Sequence, residues 1–178
     1  MPESDAAMAG IRVRPATGRD LPATLELVAE LDRLQADCRV FAPLPDLRQE
    51  VAERYRRAID DPGGDDLLLV AEEGGLVVGT AFGHVLVPST VSDERAVELG
   101  GVIVRDAHRG RGIGLALAQE IARFARARGI RIVVLKTFAS NEPALRFWER
   151  IGFLPRMVQM VTHADRLAGR DGPDGPEA

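Results

Sequence analysis

The sequence predicts an α/β (α+β) domain whose sheet mixes antiparallel and parallel strands, and three stretches carry that prediction. Two apolar runs, residues 67–71 and 76–82, flank Glu72-Glu73-Gly74-Gly75. They read as a hairpin whose glycines supply the positive φ that the turn requires. Residues 96–104 and 130–135 are β-branched and apolar, and they enclose Ile113, Leu117, Ile121 and Phe124 at helical spacing. A strand, a helix and a strand of this length read as a crossover between parallel neighbours. Two amphipathic segments precede the hairpin: Leu21, Leu25, Val28, Leu31 and Leu34, then Leu47, Val51, Tyr55 and Ile59.

Taken in order, Ile11-Arg12-Val13-Arg14 alternates and reads as a short first strand. Thr17 and Asp20 are candidate caps for the first helix. Pro43 and Pro45 break the pattern before the second helix, which stops at Asp61-Pro62-Gly63-Gly64. The second hairpin strand has apolar character as far as Val87, and residues 88–94 form a polar connection to the fourth strand. Gly129 reads as the C-cap of the third helix, with Arg123, Arg126 and Arg128 at the negative end of its dipole. Asn141-Glu142-Pro143-Ala144 opens a fourth helix with Leu145, Phe147, Trp148 and Ile151 on its apolar side, and Gly152 ends it. Residues 153–163 read as one or two closing strands. The total is about six or seven strands and about four helices, in a single domain over residues 11–167. Residues 1–10 and 168–178 read as flexible tails.

Composition narrows the function. At 178 residues the chain is long enough for one full core. A net charge of −4 argues against bulk attraction to nucleic acid or an acidic membrane, so any anion must be met locally. Cys38 is the only cysteine, which excludes an internal disulfide. No Cys/His arrangement surrounds it, so it reads as a bystander. No apolar run has membrane-spanning length, and residues 1–10 lack the basic and apolar regions of a secretory leader. The expectation is a soluble, cytoplasmic protein.

The stretch with the most chemistry is Arg109-Gly110-Arg111-Gly112-Ile113-Gly114, where the fourth strand hands over to the third helix. The first N–H groups of a helix have no intrahelical acceptor and carry partial positive charge. Glycines let that backbone approach a bulky anion, and Arg109 and Arg111 add full charges. The stretch reads as a pyrophosphate cradle. It is not a Walker loop, because it lacks G-x-x-x-x-G-K-[ST]. It is not the dinucleotide fingerprint either, since its glycines alternate and the next strand carries Lys136 where that motif wants an acid.

Val102-Ile103-Val104, then R-x-x-G-x-G geometry around Arg109, Gly110, Gly112 and Gly114, then Asn141 and Ala144-x-x-Phe147-Trp148-x-x-x-Gly152-Phe153 resemble the GNAT superfamily of N-acetyltransferases. The match is dense from Leu99 to Phe153. The resemblance implies the GNAT fold, a mixed and mostly antiparallel sheet splayed between its fourth and fifth strands. It implies acetyl-CoA as co-substrate and no metal. The pantetheine arm would lie in the splay against the main chain of Val102, Ile103 and Val104, as an added strand. The diphosphate would rest on Arg109, Gly110, Arg111, Gly112, Ile113, Gly114 and Leu115, and Asn141 would bond the arm. A helix N-cap is the structural alternative for Asn141.

The implied reaction is direct attack of an amine on the thioester carbonyl. It needs a base, a stabiliser for the developing oxyanion and an acid for the thiolate. Glu98 is the favoured base and His84 its rival; each also reads as an ordinary polar strand residue. His108 reads as packing or phosphate contact. The resemblance assigns the oxyanion to the Val104 N–H. The acid is where the chain departs from the family, which has tyrosine where this sequence has Trp148. An indole N–H donates a hydrogen bond but does not give up its proton near neutral pH. Ser140 and Tyr55 are weak substitutes. The acceptor is a small-molecule or peptidic amine. Residues 38–45 and 88–94 border its site, with Asp37, Asp46, Asp93 and Glu94 as candidate attractors of a cation. A non-catalytic acyl-CoA sensor and a protein lysine or N-terminus acetyltransferase are the alternatives. A homodimer through the closing strands, around Met157, Val158, Met160 and Val161, is compatible with the sequence.

Overall fold

A computed structural model describes residues 8, 10–36, 47–87, 95–162 and 164–169. The chain forms two compact units, Met1–Leu145 and Arg146–Ala178.

The first unit is built on a five-stranded sheet in the order β1 (Ile11–Pro15), β2 (Asp66–Glu73), β3 (Leu76–Leu86), β4 (Ala96–Val104) and β5 (Ile132–Leu135). β1 through β4 pair antiparallel, and β4 and β5 pair parallel. The hairpin turn between β2 and β3 falls on Gly74 and Gly75, with φ of 57° and 85°. Both values lie in the left-handed region that a two-residue hairpin demands. Among the described residues, three α-helices lie wholly within this unit: α1 (Leu21–Leu34), α2 (Leu47–Asp60) and α3 (Ile113–Ala127).

Successive strand residues point to opposite faces, and that alternation separates the helices. Phe82 stacks on Tyr55 of α2 with ring centroids 5.1 Å apart. Around that pair, Leu27, Ala58, Leu68, Val70 and Ile103 form a buried cluster, with Leu25, Val28 and Val51 packed against it. Its neighbour Gly83 faces the other way: a Cβ there would lie 2.8 Å from Ile121 Cδ1 of α3. Gly79 likewise faces Ile113. Ile113, Leu117, Ile121, Phe124 and Ala125 are the buried stripe of α3, at the spacing the sequence predicts.

α3 ends in a left-handed glycine cap. Gly129 has φ 70°, and the Ile130 N–H donates to Ala125 O at 3.0 Å. Ile130 is therefore part of the helix cap, and β5 starts at Ile132, two residues later than the sequence predicts.

The second unit contains most of α4 (Glu142–Arg150) and the short helix α5 (Ala164–Leu167). The closing strands expected over residues 153–163 are not formed: residues 153–162 lie outside helix and strand. Met157, Val158 and Met160 are exposed. Their apolar character reads locally as strand, but strand propensity depends on context, and residues 153–162 form no ladder. No strand lies beyond β5 among the described residues. The sheet accordingly has five strands where six or seven are expected.

Candidate active site

β4 extends past its partner. Its pairing with β5 runs from Ala96↔Ile132 to Leu99↔Leu135 and stops there, so residues 100–104 have β3 on one side and no strand on the other. This is the splay that the resemblance implies. Opposite it, the β3–β4 register shifts between Thr80 and Phe82. The bulge sits at Gly101, with φ 58°. A Cβ on Gly101 would lie 2.7 Å from the Tyr55 hydroxyl, so only glycine fits there. Burial pushes the Tyr55 phenol up to about 12.

The main chain at the end of β4 has a defined orientation. The Arg105 N–H donates to Val78 O of β3 at 2.9 Å. These groups alternate along a strand, so Val104 and Val102 turn theirs toward the open side. The Val104 carbonyl accepts from Arg109 Nε at 3.1 Å. Ile103 is buried and paired opposite Thr80, with its carbonyl facing β3 near Gly79.

The chain then makes a 3-10 turn, Asp106–His108, and reaches the glycines. Gly110 and Gly112 have φ of 78° and 83°. Gly112 is the N-cap of α3 and has no side chain to turn back on the helix. The first N–H of α3 bonded within the helix is that of Ala116, to Gly112 O at 3.0 Å. The N–H groups of Ile113, Gly114 and Leu115 precede it and are the unsatisfied donors of the helix start. A Cβ on Gly110 would meet nothing within 4 Å, so the space over the turn is open.

The two cradle arginines are engaged. Arg111 makes a two-pronged pair with Glu73, at 2.7 and 3.2 Å. His108 Nε2 lies 3.0 Å from the same carboxylate. Arg111 holds the Glu73 carboxyl below the usual carboxylate range. Arg109 pairs with Asp106 at 2.8 Å. His108 Nδ1 is buried and has no hydrogen-bond partner among the described residues.

A second group of polar side chains crosses the sheet. Asp66, His84 and Glu98 are register partners on β2, β3 and β4, so they lie in one row on one face. Asp66 Oδ1 is 2.6 Å from His84 Nδ1. Glu98 pairs with Lys136 at 2.8 Å. Arg54 of α2 lies 3.9 Å from Asp66 and stacks over Phe82. Glu98 and His84, rivals in the sequence, are thus neighbours, immediately before the point where β4 and β5 part.

Asn141 caps α4, with its Oδ1 accepting from the Ala144 N–H at 3.3 Å. Trp148 lies in the second unit, edge-on to Phe147 at 4.7 Å and to Phe153 at 5.4 Å. Ser140 is exposed. Cys38, Asp37, Asp46, Asp93, Glu94 and the two expected acceptor segments lie outside the described residues. No cluster able to hold a metal occurs among the described residues. No described helix is long and apolar enough to cross a membrane. Sequence reasoning missed Glu73 and Asp66. Each flanks the predicted hairpin strands, and only the pairing register brings it to the site.

A sheet that opens beside a glycine-capped helix start is the arrangement of an acyl-CoA-binding fold. A family model described as acetyltransferase (GNAT) family matches residues 28–153, and the chain belongs to that family. It is similar to probable N-acetyltransferase family 8 member 5 of Mus musculus, 39% identical over 84 residues, which cover 47% of this chain and 37% of that protein. It is also similar to N-acetyltransferase 8F1 of Rattus norvegicus, 33% identical over 123 residues, 69% of this chain and 54% of that protein. The chain therefore spans about half or less of the length of these curated relatives. Among solved structures it shares its fold with a predicted acetyltransferase from Clostridium acetobutylicum. That match has a TM-score of 0.64 and 17% identity, and covers 85% of this chain and 96% of the other.

Proposed function

We propose that this chain transfers an acetyl group from acetyl-CoA to a primary amine of a small molecule or peptide, by direct attack. The observation that carries the reading is the junction of an unpaired strand edge, residues 100–104, with a bare helix start at Gly112. The first suits an extended, amide-bearing arm and the second a diphosphate. The family membership and the Clostridium acetobutylicum structure, which was determined with acetyl-CoA, support it.

Acetyl-CoA supplies an activated acyl carbon and a leaving group whose conjugate thiol has a pKa near about 8.5. The residues of the chain bind and orient. N–H groups from Gly110 to Leu115 hold the diphosphate, with Arg109 and Arg111 beside them. Val102 and Val104 offer outward main-chain groups to the arm, and Ile103 packs behind them. Asn141 uses Oδ1 as a cap, which leaves its Nδ2 donors for the arm. The Val104 N–H stabilises the oxyanion. The proton acceptor comes from the Glu98–His84 pair. Trp148 has no acid to offer, so the thiolate departs unassisted or with a proton from water.

A non-catalytic acyl-CoA sensor is the second reading, and Trp148, an indole where the family has a proton-donating tyrosine, favours it. Thiol release from acetyl-CoA decides between them, with spermidine, phenethylamine and a dipeptide as probe amines. Release dependent on an amine supports transfer. Binding of acetyl-CoA with no release for any probe supports the sensor.

A further inference from the structure

We propose that Asp66 is a positioning residue that makes His84, rather than Glu98, the base for the incoming amine. The inference rests on the acetyl-transfer reading above and adds a role to it. Three observations carry it: the common row of Asp66, His84 and Glu98, the 2.6 Å contact from Asp66 Oδ1 to His84 Nδ1, and the engagement of Glu98 by Lys136.

A neutral imidazole has one protonated nitrogen, and the hydrogen bond made by one nitrogen decides the state of the other. A carboxylate only accepts, so Asp66 selects the form with hydrogen on Nδ1. Nε2 then holds the lone pair. Both side chains are partly open to solvent, His84 at 34% and Asp66 at 22%, so a substrate ammonium has access. The charged groups around the imidazole are Asp66 on β2, Glu98 on β4, Arg54 on α2 beyond Asp66, and Lys136 beyond Glu98. Asp66 contacts the ring directly, and Glu98 is its register partner on the other side.

The proton count closes. One N–H bond of the ammonium breaks, its proton reaches Nε2 through intervening water and passes later to bulk water, and the electron pair stays on the amine nitrogen. That pair forms the C–N bond as the C–S bond breaks. The second N–H proton is released to water or to the departing sulfur.

Two measurements on the full chain test this. Nitrogen-15 NMR of the side chains reads which His84 nitrogen carries hydrogen. Steady-state kinetics with the same three probe amines, together with calorimetric acetyl-CoA binding, separates turnover from affinity. The expected results are an Nδ1–H form in the wild type that is lost in Asp66→Ala. His84→Gln should lower kcat by about 100-fold or more at unchanged acetyl-CoA affinity. Asp66→Ala should lose part of that and Asp66→Glu should recover some. An Nε2–H form in the wild type, or wild-type kcat in both His84→Gln and Asp66→Ala, overturns the assignment. If acetyl-CoA binds and no probe amine is turned over, the tautomer alone decides. If the wild type binds no acetyl-CoA, the reading of the preceding section fails and this role fails with it.

Discussion

Asp20 carries a charge where water hardly reaches, its side chain only 5% exposed. Arg14 on β1 pairs with both its oxygens, at 2.7 and 2.9 Å, and also pairs with Glu72 on β2. The Thr17 N–H and hydroxyl donate to the same carboxylate at 2.8 and 2.7 Å. The Arg14 hydrogen bonds, above all, hold the Asp20 carboxyl well below the usual carboxylate range, against the opposing effect of burial. A depressed folded-state pKa contributes stability that is complete above the unfolded value, about 4, and is lost as pH falls below it. Arg14→Ala should therefore destabilise the chain by about 3 kcal/mol at neutral pH, by leaving the buried Asp20 carboxylate without its two-pronged cation partner. The gap to wild type should narrow below pH of about 4, and urea unfolding across that range checks it. Equal loss at every pH would mean that packing of the arginine stem carries the effect. The sequence offers Thr17 and Asp20 as caps, and the distances agree in part: the two residues bond each other, but Asp20 makes no side-chain cap on α1. Its role with Arg14 was illegible because it depends on how the chain turns after β1, and the Arg14–Glu72 pair because it depends on β1 lying beside β2.

At the scale of elements, the β4–turn–α3 passage was legible and the end of the chain was not. A β-branched run, alternating glycines and a 3.6-residue apolar stripe are local signals, and each determined its element without tertiary help. Ile130 shows the limit of that reading, because a helix cap took a residue that looks like strand. Residues 153–162 show it more strongly, since a local pattern reads strand propensity and not whether the segment pairs. The cradle has a feature that only the fold reveals. Glu73, at the end of β2, lies against Arg111 and His108 and offsets the charge that the sequence assigns to the cradle. Glu73→Gln should therefore tighten coenzyme A binding by several-fold at low salt, with the gain shrinking as salt screens it. Titration calorimetry at two ionic strengths reads this directly. Weaker binding in the variant would mean instead that Glu73 holds the loop in its binding shape.

On the scale of the first unit, the sheet divides the work between its faces and its two ends. α3 covers one face and presents its bare start at the open end of β4. α1 and α2 cover the other face, where the Asp66–His84–Glu98 row lies. The fold class was readable because family and physics converge on the same few residues. The acceptor was not readable, since the sequences of its expected segments carry no period. The central claim is that main-chain N–H groups at the start of α3 hold the diphosphate of coenzyme A. Calorimetry of coenzyme A binding to the wild type and to Gly112→Asp tests it most directly. Position 112 has φ 83°, and an aspartate there adds both strain and a negative charge at the helix start. The account predicts a measurable heat of binding for the wild type and at least about a 100-fold loss of affinity in a folded Gly112→Asp variant, equivalent to roughly 2.7 kcal/mol. No heat for the wild type, or equal affinity in the two proteins, would contradict it.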